Sequence, residues 1–221
     1  MEELFHMEKI SGLCEKVCYF FTINILFIVS NLPVLLFLLF VGAAQIRECL
    51  PLFLLCLVPM APALSSVMYG MNRLIHGVEG GAFHDYKKGY CTDFFQKIGL
   101  GAGQMLVILL CWTNIEFFTL QVRSFPLAIV FIILFAAAVL VTPNLYMLAS
   151  RYQMKNMQIA KAAVVLLIGK PVFTLGNVVA LGIVLAAFEI SAGTTVLFMG
   201  SIYGFLVMFM NQGIMRELEN R

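Results

Sequence analysis

The stretch Val17–Ala44, VCYFFTINILFIVSNLPVLLFLLFVGAA, holds no charged residue. A helix rises 1.5 Å per residue, so about 20 apolar residues cross a hydrocarbon core of roughly 30 Å. This run is long enough to span. It is too long for a signal-peptide core, and no small-residue cleavage site closes it. Glu2, Glu3, Glu8 and Glu15 precede it where a signal would be basic, so it is expected to stay as an anchor. Five further segments extend the pattern: Leu50–Tyr69, running on toward His76, then Ile98–Val122, Phe125–Ala149, Pro171–Ile190 and Thr194–Met215. The connections at 45–49, 123–124 and 191–193 are so short that the segments they join must be antiparallel.

The composition agrees. Of 221 residues, 62% are hydrophobic and 12% charged, against about 25% charged in a soluble domain. Mean hydropathy is +0.96. Soluble enzyme, disordered chain and disulfide scaffold are poor fits. A net charge of +2 gives no reason to expect nucleic acid. The reading is an all-α polytopic membrane bundle in one domain, residues 1–221, with six transmembrane helices arranged as three hairpins. Of the 14 Lys and Arg, only Arg47 and Arg123 fall opposite the termini. This asymmetry places both termini in the cytoplasm.

Each hairpin is preceded by an amphipathic stretch, expected to lie in the interface. The first sets Leu4, Met7, Ile10, Leu13, Cys14 and Val17 at helical spacing, with Glu8, Lys9, Glu15 and Lys16 between them. The second sets Phe83, Tyr86, Tyr90, Phe94 and Ile98 on one stripe, with Asp85, Lys87, Lys88, Asp93 and Lys97 off it. The third runs from Tyr152 through Ile159 to Ile168 with Lys155, Lys161 and Lys170. Aromatics in the acyl boundary and lysines toward anionic headgroups would hold such helices in place. The lysines expected at lipid are Lys16, Lys87, Lys88, Lys97 and Lys170. The units 1–76, 77–150 and 151–221 read either as a triplicated hairpin or as the amphipathic connectors any hairpin protein requires.

Inside the spans, Pro33, Pro59, Pro62 and Pro143 each remove a backbone donor. Gly99-x-x-x-Gly103 and Gly200-x-x-x-Gly204 permit close helix approach, read here as packing within one chain. Glu116 and Glu189 lie at the outer ends of their spans and are expected to reach water. The polar groups left at depth are amides. Asn24, Asn144, Asn177 and Asn211 come from four spans and share one level, roughly 8–11 Å above the cytoplasmic edge at the helical rise. Either they line a cytoplasm-facing polar cavity, or they hydrogen-bond helix to helix.

Catalytic and metal signatures are weak. His76-x-x-Glu79 and His84-Asp85 flank Gly80-Gly81, and Gly77 interrupts the helix that would align the first pair. The six cysteines show no Cys-x-x-Cys spacing and read as small apolar residues. No nucleophile elbow, P-loop, His-Glu-x-x-His or dinucleotide fingerprint is present. Neither cofactor nor metal is expected.

Three stretches carry a family likeness: Thr22–Leu26 leading to Asn31–Val34, Asp85–Lys88 through Asp93–Lys97, and Leu145–Tyr152 followed by Lys161–Ala163 and Lys170-Pro171. With these the chain resembles the YesL family of bacterial membrane proteins, whose biochemical function is unknown. The resemblance implies a bacterial inner-membrane location. It also implies an accessory role near carbohydrate uptake and sensor-kinase systems, by genomic neighbourhood alone. The function expected is thus a non-enzymatic membrane accessory or scaffold protein with lipids and a transporter or sensor complex as partners. The alternative is a small transporter or channel for a polar solute that uses the amide layer.

Overall fold

The computed structural model of the chain describes residues 2–78 and 80–219; the side chains of residues 2–11, 13, 192 and 216–219 lie outside that description. The described residues contain helices and no strand. In chain order the helices are α1 (Glu2–Ser30), α2 (Leu32–Phe40), α3 (Leu50–Leu57), α4 (Met60–Ile75), α5 (Ala82–Cys91) and α6 (Phe94–Leu120), then α7 (Phe125–Arg151), α8 (Asn156–Gly169), α9 (Pro171–Ile190), α10 (Ala192–Val196), α11 (Met199–Met210) and α12 (Gln212–Glu219).

Among the described residues, four segments are long and apolar enough to cross a membrane: Leu50–Ile75, Phe94–Leu120, Phe125–Arg151 and Pro171–Ile190. A fifth arises if Cys14–Ser30 and Leu32–Phe40 count as one span, bent by 61°. The bend has a local cause. Pro33 returns no N–H to the turn before it, and the Asn31 side chain caps that turn by donating to the Phe27 carbonyl at 2.8 Å. The apolar run expected as a sixth span, Thr194–Met215, is divided among α10, α11 and α12. The 12 residues of α11 reach about 18 Å at the helical rise, short of a roughly 30 Å core.

The expected interfacial elbows also differ from one another. The first is not a separate helix: residues 2–30 form one helix that runs straight into the first span. Its stripe residues Leu4, Met7, Ile10 and Leu13, with Glu8 and Lys9, lie outside the described side chains. The second and third elbows are α5 and α8. Both rest on the bundle, α5 against α1 and α4 and α8 against α7 and α9.

The core is organised around α4, which touches α1, α5, α6, α7 and α11. Its sequence Ala61-Pro-Ala-Leu-Ser-Ser-Val-Met-Tyr-Gly70 explains why. Small side chains let five neighbours approach, and Val67, Met68 and Met71 fill the space between them with no exposed surface. Gly200 and Gly204 on α11 are such close approaches. A Cβ at Gly204 would stand 2.5 Å from Val67, and one at Gly200 2.7 Å from Phe27. That glycine pair is therefore spent on packing within the chain.

Gly89 of α5 works the same way. A Cβ there would lie 3.1 Å from the Ser66 Cα and 3.0 Å from the Tyr69 Cβ, neither of which is a flexible tip. Gly89→Ala is thus expected to push α5 off α4 and to destabilise by about 1–3 kcal/mol, the usual cost of overpacking. Thermal unfolding in detergent checks this; a melting temperature equal to that of the parent would show that α5 is not held at van der Waals contact.

Candidate functional site

Three of the four amides meet. Asn177 of α9 donates from Nδ2 to Asn144 Oδ1 of α7 at 2.9 Å. Asn211, at the joint of α11 and α12, donates from Nδ2 to Asn177 Oδ1 at 2.7 Å and to the Val207 carbonyl at 2.7 Å. All three residues are buried. The chain of amides ends on Asn211 Oδ1, which is buried with no hydrogen-bond partner among the described residues.

Asn24 stands apart and does something else. Its Nδ2 donates to the Val196 carbonyl and its Oδ1 accepts from the Gly200 N–H, each at 2.8 Å. Residues 196 and 200 are four apart, so in an unbroken helix these two backbone groups would bond to each other. The carboxamide is inserted between them and satisfies both across the break at Leu197–Phe198. Buried backbone groups are rarely left unpaired, and here a side chain from α1 replaces one helical rung between α10 and α11.

A third polar centre lies where α1, α4 and α5 meet. Asp85 is fully buried. Arg73 Nε lies 3.1 Å from Asp85 Oδ1 without the alignment of a directed hydrogen bond, so this contact is an ion pair. The Tyr19 hydroxyl is 2.9 Å from Asp85 Oδ2 and 3.0 Å from the Gly70 carbonyl. Gly80 roofs the pair: a Cβ there would stand 2.9 Å from both carboxylate oxygens and 3.0 Å from the Arg73 guanidinium. Sequence reasoning set Asp85 on the wet side of α5, and the structure places it inside. Beside it the Tyr86 hydroxyl donates to Ser30 Oγ at 2.8 Å. Burial pushes this hydroxyl well above the ordinary tyrosine range, so it stays a donor.

The lysines divide. Lys16, Lys87 and Lys88 are exposed, with Lys87 and Lys88 lining a shallow basic recess alongside His84, Cys91 and Thr92. Lys170 is half-buried, and its Nζ lies 5.8 Å from the centre of the Phe173 ring. Lys97 corrects the reading: it is 3% exposed and donates to the Gly89 carbonyl at 2.6 Å. It ties the start of α6 to α5 and does not reach the headgroups.

Glu116 pairs with Arg47 at 2.7 Å, both exposed, which joins the first hairpin's loop to the far end of α6. Glu189 is exposed. His76 Nδ1 sits 2.8 Å from the Asn72 carbonyl, while Glu79, Arg216 and Arg221 lie outside the described residues or side chains. One polar group passed unnoticed in the sequence. Gln104 of α6 donates to Thr142 Oγ1 and accepts from the Tyr146 hydroxyl, both at 2.6 Å. It grips α7 on both sides of Pro143, where the helix has lost a donor. The signal was a lone glutamine mid-span.

Residues 20–115 match a family described as "Protein of unknown function, DUF624". The YesL family is a DUF624 family, so the resemblance read from the sequence is borne out over this stretch. It covers α4, the Asp85–Arg73 pair and Asn24, and stops short of α7 to α12. No curated protein and no solved structure matches the chain.

Proposed function

We propose that the chain is a non-enzymatic accessory or scaffold protein of the bacterial inner membrane, with both termini cytoplasmic. In this reading the transmembrane core comprises six membrane-inserted segments in three hairpins, the first bent and the last braced across its break. The observation that carries the proposal is the amide chain Asn144–Asn177–Asn211. Its two amide-to-amide bonds join α7, α9 and the α11–α12 joint, as befits a rigid platform. The exposed face of α5, with Lys87 and Lys88, then meets anionic headgroups and the cytoplasmic side of a transport or sensor complex. Carbohydrate uptake is the neighbourhood that the family resemblance implies. A second reading, transport of a polar solute, draws on the unpartnered Oδ1 of Asn211, which could accept from a passing donor.

Two measurements on the full chain separate these. Co-purification from its native membrane in mild detergent, with quantitative mass spectrometry, is expected to yield one transport or sensor subunit in near-stoichiometric amount. That yield is expected to fall when Lys87 and Lys88 become Gln. In proteoliposomes, the purified chain is expected to leave the release of entrapped sugars and amino acids at the rate of empty vesicles. Saturable flux abolished by Asn211→Ala would replace the scaffold with the transporter.

A further inference from the structure

Three breaks in the helices face one another. They are the bend at Asn31 between α1 and α2, the joint at Val58–Pro59 between α3 and α4, and the break at Leu197–Phe198 between α10 and α11. Residues on both sides of each break line one cavity of about 430 Å³: Ile28 and Val34, Leu57 and Met60, Val196 and Met199. Ligand pockets run from about 300 to 1,000 Å³, so the volume is that of a binding site.

The wall decides the occupant. No polar atom is exposed on it. Asn24 and Asn31 are at its edge, but both Asn24 amide atoms and the Asn31 Nδ2 are turned onto backbone groups. Asn31 Oδ1 is buried beneath the surface. Water needs two to four polar partners to reside in a cavity, and this one offers none. An empty space of this size would forfeit the dispersion contacts of its whole lining. The cavity also borders α2, whose Leu32, Leu35, Leu36, Leu39 and Phe40 are exposed, so it is continuous with the surface that faces lipid. We propose that this cavity seats a single acyl chain of a membrane phospholipid, drawn in from the bilayer between α2 and α11.

The test uses the full chain in nanodiscs containing a phosphatidylglycerol with a diazirine on one acyl chain. After photolysis, adducts are mapped by peptide mass spectrometry at Met60 and Met199 in the cavity and at Ile133, which faces lipid on α7. Leu35→Trp and Leu57→Trp, which fill the space, are expected to cut adducts at Met60 and Met199 about tenfold, equivalent to ~1.4 kcal/mol. Adducts at Ile133 should not change. An equal fall at all three sites, or none, overturns the proposal. If either variant fails to fold, the parent protein decides. On a chase with unlabelled phosphatidylglycerol before photolysis, labelling at Met60 should decay more slowly than at Ile133. Equal decay means that the cavity holds no lipid distinct from the surrounding bilayer.

Discussion

Arg73→Ala is expected to be the most damaging single substitution outside the hydrophobic core. It would leave the Asp85 carboxylate fully buried, with the Tyr19 hydroxyl 2.9 Å away as the donor shown for it. Removing one partner of a buried pair costs about 3–5 kcal/mol, because the other charge stays behind without compensation; the Arg73 side chain is 22% exposed, so the lower end of that range is expected. The position of Gly80 against both groups closes the pair off further. Detergent-solubilised Arg73→Ala should therefore unfold well below the parent, with α5 released first. Limited proteolysis near residues 77–82 would report that release. The double replacement Arg73→Met with Asp85→Leu is the informative companion. A buried pair is often worth little net against apolar side chains of similar size, so the double variant should recover much of the loss. If Arg73→Ala melts with the parent, the pair does not hold α5 on α4.

The second large effect is expected at the centre of the amide chain. Asn177→Ala removes two hydrogen bonds at once, one to Asn144 and one from Asn211. Asn211 keeps its bond to the Val207 carbonyl, whereas Asn144 Oδ1 loses the donor shown for it. Helix-to-helix bonds in membranes contribute about 0.6–2 kcal/mol each, and a stranded buried acceptor adds about 1–3 kcal/mol. These terms together bound the loss at roughly 2–7 kcal/mol. Asn144→Ala should cost less, since it removes one bond of the chain. A double-mutant cycle on Asn144 and Asn177 reads the coupling directly; a coupling near zero would mean that the two amides do not stabilise the bundle through each other.

The amide layer and the buried pair differ in how far the sequence disclosed them. Counting residues from charged span ends fixes depth, and depth was enough to put Asn144, Asn177 and Asn211 together. Depth carries no azimuth, so Asn24, at the same level, could not be distinguished, and it faces a different break. The same reasoning located Glu116 at the end of its span remote from Lys97, where it meets Arg47. Asp85 and Lys97 were misplaced because a helical wheel shows which residues share a face, not what that face meets. On α5 the face with Tyr86 packs on protein, and Gly89 on that face makes the approach close enough to enclose Asp85. The break at Leu197–Phe198 was also invisible to hydropathy. An apolar run looks the same whether its backbone bonds are its own or are supplied by a distant side chain.

That distant side chain bears on how the protein is made. Asn24 is synthesised 172 residues before Val196 and 176 before Gly200. When α1 first leaves the ribosome and enters the bilayer, its carboxamide has none of the partners it will finally hold. It waits, among apolar neighbours, while the 172 residues up to Val196 are made. The last segment arrives with the reciprocal need, an open carbonyl and an open amide that its own helix does not close. Helices α1 and α11 thus each carry half of a junction, and joining the halves locks one against the other. A nascent chain arrested before Val196 would hold α1 with neither of the partners that Asn24 finally takes.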